Sequence, residues 1–151
     1  MEIIITIKID EDKVVDTKVD VKEVDEPKET ESYKYSPYAR WFDECCTQWS
    51  NIPEFNLMFL KHQQNYANEL LKTKGYLFLN EVYVMLGIPR TKVGQVVGWH
   101  YDEEHPTGDN RVDFGIFNDD NRQFVNGYEK PILLDFNVDG NIMDYLKEEG
   151  V

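Results

Sequence analysis

The stretch Leu79–Trp99, LNEVYVMLGIPRTKVGQVVGW, constrains this chain more than any other, because its residues punctuate the backbone at fixed places. Asn80 has the side chain of an N-cap, and Leu79 and Val84 are spaced as a hydrophobic staple around it. Gly87 supplies the left-handed residue that ends a short helix. Pro89 then keeps the helix from resuming at once. Arg90-Thr91 leads into a second short element that closes at Gly98-Trp99. The stretch predicts helix, tight turn, helix.

Hydrophobic periodicity organises the rest. Ile3, Ile5, Ile7 and Ile9 share one face, and Val15, Thr17, Val19 and Val21 share another after a polar turn. That alternation predicts a β-hairpin over residues 1–24, which needs a partner to be stable in water: the C-terminal strands or a second copy of the chain. Residues 25–35 read as an acidic linker, charged and interrupted by Pro27. Residues 36–151 form the main domain. Ser36-Pro37 is a helix start, followed by Tyr38, Trp41, Phe42, Cys45 and Trp49 at helical spacing, with Cys45 as a small core residue. Asn51 and Glu54 have capping-box spacing and open a longer helix that stops at Gly75. Its predicted inner face is Phe55, Met58, Phe59, His62, Tyr66, Ala67, Leu70 and Leu71. Period two returns at Val112, Phe114 and Ile116 and again over Ile132–Val138, with turns at Asn118–Asn121 and Asn126-Gly127 and a short terminal helix after Asp139-Gly140. The fold class is α+β: a small antiparallel sheet packed with two longer helices and a helix-turn-helix-like corner.

Charge excludes some functions. The net charge is −13, and it is unevenly spread. Residues 1–31 carry 11 acids against 5 bases, and residues 102–151 carry 13 against 4, whereas residues 32–101 carry 5 against 7. Such a field repels nucleic acid and anionic membranes, and only the middle third escapes it. No apolar run approaches the roughly 20 residues that span a bilayer, and the acidic, alternating N-terminus is not a secretory signal, so no membrane and no secretion are expected. Cys45 and Cys46 are the only cysteines; neighbours in sequence do not bridge, which points to a reducing compartment.

Three segments invite a chemical reading. In a helix-turn-helix, Arg90, Thr91, Lys92 and Gln95 would face the major groove, although Gly94 and Gly98 weaken that second helix by about 1 kcal/mol each and only two cations are on offer. A packed corner is the plainer alternative. Asp135, Asn137 and Asp139 with Gly140 match the opening of a calcium loop, but its twelfth position is Leu146 instead of a bidentate glutamate. The plainer alternative is a strand-to-helix turn. His100, Asp102, Glu103, Glu104 and His105 crowd one loop without metal-site spacing. No phosphate loop, nucleophile elbow or CxxC pair is present, so no catalytic residue and no cofactor is predicted.

From Tyr76 onward, LFLNEVYVMLGIPRTKVGQVVGW, GDNRVDFGIF and NGYEKPILLDFNVDG resemble an uncharacterised family encoded by phages and prophages of Gram-positive bacteria, and Pro37–Lys74 resembles the helical part of some members. The resemblance covers residues 37–141. It implies no activity and carries over no catalytic residues. Some relatives look membrane-anchored at the N-terminus, where this chain has the hairpin and linker instead. The functional expectation is a non-catalytic phage accessory protein acting by protein–protein binding. It would be a component of the virion or its assembly, or an acidic inhibitor of a host defence protein such as a nuclease, in the host cytoplasm or the particle. A DNA-binding regulator and a calcium-binding protein are the alternatives, and self-association would run through the N-terminal hairpin.

Overall fold

The computed structural model of the protein describes residues 34–149. The expected hairpin over 1–24 and nearly all of the linker lie outside the described residues. A compact unit begins at Tyr38 and holds every element below.

The unit is α+β. Its main helix, α1, spans Pro53–Lys74, which at 1.5 Å per residue is about 33 Å long. Proline opens it, Glu54 lies in the first turn and Lys72 and Lys74 in the last, all matched to the helix dipole. Gly75 ends it in the left-handed region, φ 87°, as its position predicts. The N-terminus differs from expectation. Ile52 is the capping residue and no Asn51–Glu54 box forms. Instead the Asn56 amide folds back onto Ser50, accepting its N–H at 2.9 Å and donating to its carbonyl at 2.8 Å.

The face that α1 buries is Asn56, Leu60, Ala67 and Leu71; Ala67 and Leu71 belong to the expected stripe, and the rest of that stripe is not fully buried. Phe55, Met58, His62 and Tyr66 are exposed, and Phe59 and Leu70 are only half-buried. His62 is therefore a surface residue. The cause lies in amide chemistry. Residues 112–114 run extended beneath α1 and need hydrogen-bond partners for their backbone. Asn68 accepts the Val112 N–H at 2.7 Å and donates to its carbonyl at 3.0 Å, and Gln64 accepts the Phe114 N–H at 2.8 Å. A helix that serves as a strand's partner must turn its amides inward, and the phenylalanine–methionine stripe goes outward with the rotation.

A three-stranded antiparallel sheet is built on the end of α1. Strand β2 (Tyr76–Phe78) pairs with β3 (Val97–His100), which pairs with β5 (Gly140–Asn141), the register setting Leu77 opposite Trp99 and Gly98 opposite Gly140. Between β2 and β3 lies helix α2, Leu79–Leu86. A second, two-stranded sheet joins β1 (Arg40–Phe42) to β4 (Ile132–Leu134), with Trp41 opposite Leu133. The helix expected from Ser36-Pro37 is absent. The segment is strand β1 followed by turns in which Asp43 gathers the chain, its carboxylate accepting the Cys45 N–H and its carbonyl the Cys46 N–H. Phe42 is buried by stacking on Phe59, centroids 5.8 Å apart. Aromatic residues favour strands as readily as they fit a helical stripe, and pairing with β4 decides the matter. Burial also exchanges the cysteines: Cys46 is in the core and Cys45 is exposed.

Val112, Phe114 and Ile116 are buried as their spacing predicts, but the expected strand does not form: Gly115 turns left-handed at φ 76° and Ile116 enters a turn. The strand expected over 132–138 likewise stops at Leu134, beyond which the Asp135 and Asn137 N–H groups donate to the Phe114 and Asp113 carbonyls. The turns at Asn118–Asn121 and at Asn126-Gly127 hold, followed respectively by helix α3 (Arg122–Val125) and by β4. The terminal helix, α4, spans Met143–Glu149. Trp99, Tyr83, Phe42 and Phe114 are the largest fully buried side chains. Tyr83 donates to the Tyr38 carbonyl at 2.7 Å, and Phe136 lies edge-on to both Tyr83 and Phe114.

Replacing Asn68 by leucine removes both partners of Val112 at once. We expect a loss of about 2–4 kcal/mol in urea unfolding, since each orphaned buried backbone group costs about 1–3 kcal/mol. Gly98→Ala should be at least as damaging. Its methyl would overlap the Leu77 carbonyl oxygen, which is fixed backbone.

Candidate functional site

The central corner keeps its first helix and its turn and loses its second helix. At the N-terminus of α2 the capping residue is Phe78, whose N–H is accepted by Glu81 Oε2 at 3.0 Å while Oε1 pairs with Lys74 at 2.8 Å. Asn80 lies inside the helix, and its amide clamps the far side of the corner, donating to the Thr91 carbonyl at 2.8 Å and accepting the Thr91 N–H at 3.0 Å. Leu79 is buried but Val84 is exposed, so no staple forms. Gly87 adopts φ 76° and ends the helix. After it comes a single 3-10 turn, Val93–Gln95, and then β3.

Thr91 is spent on this corner: its hydroxyl accepts the Gly94 N–H at 3.0 Å. Gly94 is glycine because a Cβ would strike the Asn80 amide. Arg90 and Gln95 line a cleft beside α2, and Lys92 is exposed. The four residues therefore do not line one helical face, and the geometry of a reading helix is missing.

Asn137, the middle of the calcium-like triplet, is tied down completely. Its oxygen accepts the Trp99 indole N–H at 2.8 Å and the Asp113 N–H at 2.7 Å, and its nitrogen donates to Asp109 and to the Arg111 carbonyl, each at 3.0 Å. Asp139 accepts the His100 N–H at 3.0 Å and lies against Gly108. Burial pushes its carboxyl above the usual range, the hydrogen bond from His100 opposes that, and the nearby Asp109 charge adds to it. Among the described residues no group of three or more His, Cys, Asp or Glu side chains is placed to hold a metal ion.

The loop after β3 is fastened in the same manner. Asp102 accepts the N–H groups of Glu104 and His105, each at 3.1 Å, and these bonds hold its carboxyl below the usual range. Asn110, at φ 59°, exchanges two hydrogen bonds with the Asp102 backbone. The two histidines part company. His105 is exposed, whereas His100 is buried, 3.0 Å from the Thr107 hydroxyl and stacked on Tyr145 with centroids 4.5 Å apart. His100 thus docks α4 onto β3. Cys46 donates to the Trp41 carbonyl at 3.6 Å, and burial pushes its thiol up, away from the thiolate.

What the structure adds is an open cleft of about 590 Å³ where α1, β2 and α2 meet. Leu70, Phe78, Val84 and Met85 form its apolar floor, with Tyr66 and Arg90 among its rim residues. Glu81 is the carboxylate of the lining and is already paired. Arg90 makes no hydrogen bond or ion pair among the described residues. A smaller hollow of about 360 Å³ lies farther along α1, by Met58 and His62. One sequence signal could have exposed the cleft. VYVML in α2 is apolar on every side, and a short helix with only one face on the core has apolar residues left over for something else.

The fold and cleft define an α+β unit with a preformed apolar surface. The chain belongs to a family of unknown function, DUF6353, whose model matches residues 2–146. The match takes in the N-terminal alternating stretch. No curated protein and no solved structure matches the chain. Among the described residues no helix is long and apolar enough to cross a membrane.

Asp139→Ala should cost about 1–3 kcal/mol by orphaning the His100 N–H, and Asp139→Asn, which keeps an acceptor, should cost less. The pH dependence separates charge from hydrogen bonding. A carboxyl whose folded pKa is raised favours the folded state at low pH, and that advantage falls as pH climbs from the unfolded towards the folded pKa. Thermal melts across this acidic window should show the decline in the native chain and not in Asp139→Asn.

Proposed function

We propose that this protein is a non-catalytic accessory protein that binds another protein, and that the cleft between α1 and α2 is its docking surface. The observation that carries the reading is the apolar floor left open between two helices. Val84 is 55% exposed, Leu70 and Met85 are half-buried, and Arg90 beside them has no partner among the described residues. Floors of aliphatic and sulfur side chains edged by one cation suit an apolar anchor with a neighbouring carboxylate on the partner. The resemblance to phage and prophage proteins of Gram-positive bacteria supplies the setting: a particle or assembly component, or an inhibitor of a host defence protein. The cleft favours the first form, because a nuclease decoy would bind through its acidic surface and have no need of an apolar floor.

Capture from a lysate of a Gram-positive host, with Val84→Glu and Arg90→Glu as controls, tests this. The native chain should retain a specific protein, and each variant should retain at least about tenfold less, as loss of a central contact commonly does, with an unchanged melting temperature. Capture that ignores both substitutions and fades steeply with salt would instead point to the acidic surface and overturn the cleft.

A further inference from the structure

Building on the docking role proposed for the cleft, we infer that its occupant is an amphipathic α-helix of another protein, with apolar side chains at i, i+3 or i+4 and i+7 and a carboxylate on the flank that meets Arg90. The lining decides the conformation. Six of its nine residues belong to α1 or α2, and Phe78, the one strand residue among them, gives its N–H to Glu81. The cleft therefore has no strand edge to offer. An extended segment laid on it would leave the backbone groups that face the apolar floor without partners, and each such group, once buried, weakens binding. A helix satisfies its own backbone and brings only side chains to the surface.

Shape agrees. A groove between two packed helices is what a third helix fills, its ridge of side chains lying between theirs. Leu70, Val84 and Met85 make most of the floor, and Phe78 is the one aromatic ring in it, with Tyr66 at the rim. A polyproline segment would want a row of such rings. The Met85 thioether adapts to whichever aliphatic side chain is presented. A volume of about 590 Å³ has room for side chains from successive turns of a helix and not for a folded domain.

Charge chooses the flank. Glu81 spends one oxygen on Lys74 and the other on the Phe78 N–H, and Asn80 is committed to Thr91, so neither has much to give a visitor. Arg90 and the side-chain amide of Gln95 are exposed and have no partner among the described residues. What the lining has left is one guanidinium, whose planar fork pairs best with a carboxylate. A lysine on the occupant's flank would be repelled. Residues 32–101 carry 5 acids and 7 bases in a chain of net charge −13, so an acidic helix meets less repulsion here than beside either end of the sequence. A second copy of this chain, by contrast, brings the whole of that charge with it.

Panning a library of linear peptides of about 16 residues, long enough for about four turns, against the full chain tests this. The selected peptides should share apolar residues at helical spacing with Asp or Glu beside them, and should gain helical circular dichroism when mixed with the protein. Proline at the centre of such a peptide should weaken binding about 100-fold. Val84→Glu should weaken it at least about tenfold. Arg90→Glu should weaken it about tenfold, and lysine in place of the peptide's acid should restore most of that loss. Binders that need Val84 but alternate at period two, are rich in proline or ignore the Arg90 reversal overturn the helix and leave the cleft standing. Binders indifferent to Val84→Glu, or none at all, overturn both. Sedimentation of the chain alone at about 100 µM, where weak interfaces associate, should show no dimer that Val84→Glu dissolves. Such a dimer would make the occupant a second copy and overturn the inference.

Discussion

Side-chain amides hold this fold together where a sheet would ordinarily do so. The run from Arg111 to Gly115 has ladder partners on one side alone, in Asp135 and Asn137. Most of its remaining backbone groups are met by Asn68 and Gln64 from α1, by Asn137, and by Asn121, which donates to the Gly115 and Leu133 carbonyls, while the Gly115 N–H goes to the Asp113 carboxylate. An amide side chain offers a donor and an acceptor in the same plane, as a peptide group does, so one residue of a helix can stand in for one residue of a strand. Buried polar groups in such numbers are tolerable only because each is met; any one left alone would cost more than it contributes.

This fastening decides how α1 sits. Inward-facing asparagine and glutamine fix its rotation, and the large apolar residues a core would normally take are displaced to the outside. The same displacement leaves the floor of the cleft open beside it, where Leu70 of α1 meets Val84 and Met85 of α2. Surface for binding thus follows from a choice made in the interior.

Much of the fold is legible in the sequence, and the departures share causes. Gly75 and Gly87 end their helices where predicted, because a left-handed cap is a local demand that only glycine meets easily. The α+β class, the turns and the terminal helix are equally local. The rotation of α1 is not, since Phe55, Met58, His62 and Tyr66 continue the apolar period of Ala67 and Leu71 and only a segment 44 to 50 residues away reveals why they end outside. Residues 38–49 mislead for a related reason: aromatic spacing fits a helix until β4 is there to pair with it. In the corner, Gly94 and Gly98 count against a reading helix, but their positive role, close approach to Asn80 and Leu77, depends on β2 and α2. Asn137 matches an ion-loop template in one dimension and is a structural knot in three. The cleft has no motif; only the surplus apolar residues of α2 hint at it.

The knot at Asn137 bears on how the chain comes off the ribosome. That single amide reaches Trp99, Asp109, Arg111 and Asp113, and its main chain closes the ladder with Asp113. Everything upstream can form helices and turns as it emerges, but the interior stays ajar until Asn137 arrives. Topologies closed by such distant partners assemble late and all together. A ribosome that stalls before this residue releases a chain with its tryptophan still waiting for a place.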